Sequence, residues 1–288
     1  MIKYSLAIFC LITLAASAAR GQAAYVGTVG TAPIELTLNS VGDGELAGVY
    51  LYTKIGTPIK LSGRLKQGAL TLTEPDAHGK PAATLTVASF AAGAARLTGT
   101  WRSLATGRQL PLVLARPSQP AQHGLLQAEA LKDSYFKMVL VGKPGKDEDQ
   151  PTAVQLLEKK TNRVLQQLPV EVQPMGIYSV QVGDYNFDGL PDFSVFESTY
   201  AGPNTTSLYY LYDPARQRYV ASGYEGTSLK FDPKKRRVYE HNSCCAGSSV
   251  INVEYKVLNN KLVTLARHCY RWDEKKQELV ERPFSACQ

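Results

Sequence analysis

Between residues 25 and 115 the apolar side chains fall at alternate positions in one short run after another. The runs are IELTLNS, ELAGVYLYT, PIKLSGRLKQGALTLTE, ATLTVASF, RLTGTWRS and QLPLVLAR, and Gly, Pro, Asn and Asp separate them. A period of two sends successive side chains to opposite faces, the pattern of an antiparallel strand with one buried face. With 16 tyrosines, 23 glycines and 16 prolines in 288 residues, the chain favours short strands and tight turns over long helices. Glycine also recurs inside the runs, at Gly48 between Leu46 and Tyr50, at Gly63 between Leu61 and Leu65, and at Gly99 between Leu97 and Trp101. A glycine between two apolar residues of one face marks a bend or a close backbone approach. The expectation is a small antiparallel barrel or sandwich over residues 24–115, its strands packed as core rather than around a pocket.

These Leu-x-Gly-x-aromatic pieces resemble those of small up-and-down barrels such as avidins. Residues 116–124, RPSQPAQHG, read as a linker, with two prolines and no apolar period. A second unit then spans residues 125–288. LLQAEALKDSY reads as one short helix or as a strand with a polar face, and VGKPGKDEDQP as a charged surface loop. Beyond it, LLEKKTNRVLQQL, YLYDPARQRYVAS, LKFDPKKRRVYEH and YRWDEKKQELVER share one plan. An acid (Glu158, Asp213, Asp232 or Asp273) is followed six residues later by an apolar or aromatic residue (Val164, Tyr219, Val238 or Leu279). Each is a candidate β-hairpin. Their uneven spacing argues against a strict solenoid, so the whole chain is expected to be all-β, its second unit a stack of hairpins in a propeller-like or sandwich arrangement. The basic run Lys234-Lys235-Arg236-Arg237 falls on one hairpin turn and reads as a solvated tip rather than a nucleic-acid patch.

The first 21 residues, MIKYSLAIFCLITLAASAARG, combine an early lysine, an apolar run and small residues, the pattern of a secretory signal peptide. The run is shorter than the roughly 20 residues that span a bilayer. The mature chain is therefore expected to be periplasmic or secreted, with no membrane span. Loss of Lys3 and Arg20 lowers the formal charge from +7 to +5, mildly basic and too small to argue for nucleic acid. Loss of Cys10 leaves Cys244, Cys245, Cys269 and Cys287. Four cysteines in an exported chain imply disulfides, with a four-cysteine zinc site as the alternative. Neighbours in a strand point apart, so Cys244 and Cys245 are each expected to pair with one of Cys269 and Cys287.

The segment Asp184-Tyr185-Asn186-Phe187-Asp188-Gly189-Leu190-Pro191-Asp192 crowds carboxylates that repel one another. Asp184, Asn186, Asp188 and Asp192 stand at positions 1, 3, 5 and 9 of a calcium loop, with Gly189 at the sharp bend and the Leu190 carbonyl at position 7. Position 12 is Val195 where an EF-hand has a bidentate Glu, and the flanks alternate like strands. The reading is a β-hairpin calcium loop, structural rather than catalytic. The competing reading is an acidic turn without metal.

YSVQVGDYNFDGLPDFSVFE, LYYLYDPARQRYV and FDPKKRRVYEHNSCCAGSSV together resemble exported bacterial calcium-loop proteins related to the immunity proteins of type IV secretion systems, over roughly residues 130–288. The resemblance implies Ca²⁺ on Asp184, Asn186, Asp188, Leu190 and Asp192, and an envelope inhibitor that binds a peptidoglycan hydrolase. The residues themselves offer two adaptable loops as contacts, TYAGPNTTS with Tyr200 and Asn204, and HNSCCAGSSV with Ser243 and Ser248. An alternative is a calcium-dependent cell-surface glycan- or matrix-binding module using Tyr200, Tyr209 or Trp272. Four histidines, His78, His123, His241 and His268, form no HExxH, and no GxSxG elbow or P-loop is present. The chain is accordingly expected not to be an enzyme, with a cell-wall hydrolase using His241 and a nearby serine as the lesser alternative.

Overall fold

A computed structural model describes residues 22–91, 93–117, 122–142, 149–200 and 202–287. The expected signal segment, residues 118–121 of the expected linker and residues 143–148 of the charged loop lie outside these. The fold is almost entirely antiparallel β, as the alternation predicts.

Eight strands close a barrel in sequence order. They are β1 (Gln22–Val29), β2 (Ala32–Gly42), β3 (Glu45–Tyr52), β4 (Ile59–Lys66), β5 (Ala69–Pro75), β6 (Pro81–Val87), β7 (Arg96–Ser103) and β8 (Gln109–Ala115). β1 pairs with both β2 and β8, which removes the open edges. Of the two architectures expected, the barrel is the one formed. The recurring glycines explain the closure. A Cβ on Gly63 would strike the Thr71 carbonyl oxygen, and one on Gly99 the Thr86 carbonyl oxygen, so the neighbouring strands coil in where only hydrogen fits. Inward side chains, among them Tyr25, Ile34, Leu36, Tyr50, Leu72 and Leu85, fill the interior as one core cluster.

The remaining strands form three sheets. The first contains β9 (Gln122–Ala130), β10 (Ser134–Val141), β11 (Gln150–Glu158) and β12 (Val164–Pro169). The second contains β13 (Val180–Gly183), β14 (Asp192–Thr199), β15 (Thr205–Asp213) and β16 (Arg218–Ala221). The third contains β17 (Lys230–Asp232), β18 (Arg237–Cys244), β19 (Ser249–Leu258), β20 (Lys261–Asp273) and β21 (Glu278–Arg282). Gln122, His123 and Gly124, expected in the linker, pair with Val141, Leu140 and Val139 as the start of β9. LLQAEA is strand rather than helix.

The sheets stack in chain order. Phe136, Val154, Val180, Phe193, Val195, Tyr210 and Tyr219 belong to the core between the first and second. Tyr209, Leu211 and Tyr224, with Phe231 and Leu229, form the core between the second and third. Adjacent residues Tyr209 and Tyr210 thus serve opposite faces of β15, so the middle sheet is apolar on both sides. The barrel joins the stack through β3. Tyr50 points inward, while Ala47, Val49 and Leu51 pack outward on Leu126, Ala128, Tyr135, Leu157 and Ile177. Lys137 pairs with Glu35 at 2.6 Å across this junction.

All four acid-led repeats are hairpin turns, between β11 and β12, β15 and β16, β17 and β18, and β20 and β21. In three of them the acid's Oδ1 accepts the next two free backbone N–H groups at 3.0–3.2 Å, Asp213 from Ala215 and Arg216, Asp232 from Lys234 and Lys235, Asp273 from Lys275 and Lys276. Glu158 instead accepts the Thr161 hydroxyl at 2.6 Å. The fourth residue after each acid, Asn162, Gln217, Arg236 or Gln277, turns left-handed with φ of 50–58°. The local chemistry of the acid sets the turn, and the left-handed residue returns the chain to the strand.

Candidate binding cleft and acidic loop

β13 and β14 pair so that Gly183 faces Asp192, and residues 184–191 curl between them. The calcium-loop candidate is therefore a β-hairpin loop, as its flanks predict. Its alternation has a second cause that the acids concealed. The interleaved aromatics plug the core between the second and third sheets, Tyr185 against Tyr209 and Phe231, and Phe187 against Phe231. Phe187 is 5% exposed although its φ is +63°, a conformation a bulky residue keeps only where packing holds it.

The polar side chains turn onto the loop backbone. Asp184 accepts the Asp188 and Gly189 N–H groups at 3.1 and 2.9 Å. Asp188 Oδ1 accepts the Leu190 N–H at 2.8 Å, and its other oxygen accepts the Asn186 amide at 2.8 Å. Asn186 also donates to Asn260 at 3.1 Å. Asp192, wholly buried, accepts the Tyr185 and Tyr212 N–H groups, each at 2.8 Å. Burial, with the nearby Asp188 and Asp184 charges adding to it against those two hydrogen bonds, pushes its carboxyl up to about 6. Carboxylate oxygens keep a further lone pair after one hydrogen bond, so the donor chemistry suits a hard cation. Among the described residues, however, no three His, Cys, Asp or Glu side chains converge as a group that could hold a metal. Hydrogen bonds, not convergence, relieve the crowding in this arrangement.

The second feature is a cleft of about 1050 Å³ between the two loops singled out as contacts. Tyr200, Asn204, Ser243, the 244–247 turn, Ile251, Arg271 and Cys287 contribute to its walls. Asn204 ties the loops together. Its Nδ2 donates to the Ser243 carbonyl at 2.7 Å and to Asn242 Oδ1 at 3.2 Å, and its Oδ1 accepts the Ser243 N–H at 3.0 Å. These are the two bonds to Ser243 that a neighbouring strand residue would make. Asn204 is only 6% exposed, and its side chain builds the cleft. Ser248 likewise turns inward, its hydroxyl donating to the Cys245 carbonyl at 2.8 Å. Tyr200, 59% exposed, stands at the lip, where a partner can meet it. Trp272 is also exposed, whereas Tyr209 is buried and cannot stack on a glycan.

The cysteine pairing differs from expectation. Cys244 bonds Cys245, and Cys269 bonds Cys287, which pins the C-terminal turn against β20. The expected cross-pairing assumed that both neighbours are extended. Cys244 is extended, but Cys245 turns left-handed with φ +58°, so the two side chains meet. His241 Nδ1 lies 2.8 Å from Asn252 Oδ1 and His268 Nδ1 2.7 Å from Glu281. Neither imidazole is bonded to a serine among the described residues.

The class that fold and site define is an all-β protein of one closed barrel and three stacked sheets, with an interloop cleft. No protein-family model matches the chain, and no curated protein matches it. Among solved structures it is similar to a Xanthomonas type IV secretion system related protein, at 13% identity and a TM-score of 0.28, over 92% of this chain and 95% of that one. A Kuenenia stuttgartiensis hydrazine synthase follows at 10% identity and 0.24, over 88% and 93%. An oligogalacturonate lyase from Vibrio parahaemolyticus gives 10% and 0.26, over 84% and 73%. These superpositions are loose, and the functional reading rests on this chain's own residues.

Proposed function

We propose that the protein is an exported, calcium-stabilised protein-binding module that acts as an envelope inhibitor of a peptidoglycan hydrolase. The observation that supports this reading best is the convergence of the two candidate contact loops on one cleft, fastened by Asn204. Loops held in one geometry lose little conformational entropy on binding. The resemblance of its acidic-loop and hairpin segments to type IV secretion immunity proteins suggests the hydrolase as partner. Two disulfides suit an oxidising periplasmic or extracellular compartment, and no helix among the described residues is long and apolar enough to cross a membrane.

The test is inhibition. The purified mature protein should bind peptidoglycan hydrolases isolated from the envelope and lower their turnover of peptidoglycan in proportion to occupancy. Unchanged turnover at saturating protein would sink the reading. Calcium has its own test. Asp184, Asn186, Asp188, the Leu190 carbonyl and Asp192 would hold the ion, which would neutralise the loop's charge and pin β13 to β14. Added Ca²⁺ should raise the thermal midpoint of wild type and leave that of Asp188→Ala unmoved. A midpoint indifferent to Ca²⁺ in wild type removes the metal from the account.

The exposure of Tyr200 and Trp272 favours the glycan- or matrix-binding alternative in one respect, since both faces are open to a sugar ring. Glycan-array binding without hydrolase inhibition would select that reading.

A further inference from the structure

Several acceptors in the loops that wall the cleft are already engaged. The Asn242 side-chain carbonyl and the Ser243 backbone carbonyl are taken by Asn204, and the Cys245 carbonyl by the Ser248 N–H and hydroxyl. The donors left over include the second end of the Asn242 amide and the Arg271 guanidinium, and the Tyr200 phenol can donate as well as accept. Arg271 is the single charged side chain among the described lining residues, and no hydrogen bond or ion pair engages it. It projects from β20 opposite Ser249, beside the turn fixed by the Cys244–Cys245 bond. Asn242 and Arg271 stand on the two strands that flank β19, opposite Ile251 and Ser249; with no Asp or Glu among the described lining residues, the planar guanidinium matches a carboxylate.

We infer that the cleft receives a carboxylate-bearing segment of a protein partner, an Asp or Glu side chain seated on Arg271, with the Asn242 amide and the Tyr200 phenol as further donors along the same cleft. This rests on the protein-binding reading above and specifies the chemistry of that partner. Two features choose an acidic peptide as occupant. Without the expected signal segment the chain keeps a formal charge of +5, mildly basic, which draws an acidic surface toward it. The cleft, about 1050 Å³ and open, is large enough to admit a loop segment. The strand edge beneath is already occupied by Asn204, so the segment enters by its side chains and not as an added strand.

The experiment titrates ¹⁵N-labelled protein, with both disulfides intact, with a capped hexapeptide of Gly and Ser carrying two Glu residues. The same peptide with Gln for Glu, and N-acetylmuramic acid, serve as the other arms. The Glu peptide should shift the Asn242 side-chain amide and the backbone amides of residues 244–247. Binding should weaken at least tenfold for the Gln peptide, and equally for Arg271→Gln at an unchanged thermal midpoint. Arg271→Lys, which keeps the charge and loses the fork, should recover only part of the affinity. Equal binding of the Gln peptide, indifference to Arg271→Gln, or no shift at millimolar peptide would overturn the inference. Tighter binding of N-acetylmuramic acid than of the Glu peptide would also overturn it, in favour of an acidic sugar. Hydrolase inhibition measured in parallel separates the two levels. If Arg271→Gln inhibits as well as wild type while the peptide fails to bind, the carboxylate site is wrong and the protein-binding reading stands. If neither wild type nor Arg271→Gln inhibits while wild type still binds the Glu peptide, the inhibitor reading is wrong and the carboxylate site stands.

Discussion

At the scale of single residues, Asn204 and Asp192 do the most with their side chains. Replacing Asn204 with Ala leaves the Ser243 N–H and carbonyl without their partners. The expected cost is about 2 kcal/mol by chemical denaturation, with faster amide exchange at Ser243 than in wild type. Asp192 makes a pH prediction whose sign follows from its environment. Its folded carboxyl sits near 6, above the ordinary 3.8, so the folded chain retains a proton that the unfolded chain has lost. That contribution to stability is complete below about pH 4 and vanishes as the pH rises through about 6. With chelator present, this group therefore lowers the thermal midpoint across that interval. Calcium favours the ionised form, so the gap between calcium and chelator midpoints should widen from pH 4 to 7. A gap constant with pH contradicts Asp192 as a ligand.

At the scale of elements, the turns and the barrel strands are governed by local chemistry, and both were legible in the sequence. An Asp that accepts the N–H groups two and three residues ahead acts within its own turn, so the four repeats announced four hairpins. The glycines at 63 and 99 marked close approach because nothing but hydrogen fits beneath a neighbouring carbonyl. Gly99→Val should destabilise the barrel by about 3 kcal/mol or more, measured by denaturant midpoint. At the left-handed turn position Asn162 is well suited, whereas Arg236 bears the strain of a longer side chain. Arg236→Gly should then stabilise by about 1 kcal/mol; a loss of stability would show that the turn depends on something other than φ. The vicinal cysteine pairing escaped sequence reasoning because it depends on one dihedral, that of Cys245. The role of Asn204 escaped because its partner Ser243 stands 39 residues away. Nothing local to TYAGPNTTS marks its single asparagine as buried. The aromatics of the acidic loop, Tyr185 and Phe187 on either side of Asn186, were in plain view, but their core partner Phe231 belongs to another sheet.

At the scale of the molecule, the apolar outer face of β3 makes barrel and stack share a core, although the composition of residues 116–124 reads as a divide. The two parts should accordingly unfold in one transition, with equal calorimetric and van't Hoff enthalpies. Leu51→Ala, at the junction, should destabilise the whole by about 3 kcal/mol; two resolved transitions in wild type would contradict the shared core. The fastening made by Asn204 has a consequence between molecules as well. β17 is only three residues long, so β18 runs on past it, and there its flank is covered without a strand, the Thr227 carbonyl accepting the His241 N–H and Asn204 engaging Ser243. Unpaired strand flanks are templates on which another chain can lay down a strand, and proteins that live at high concentration must blunt them. One asparagine side chain, imitating a strand, covers the flank at Ser243. The same residue that shapes a recognition surface thereby guards the protein's solubility.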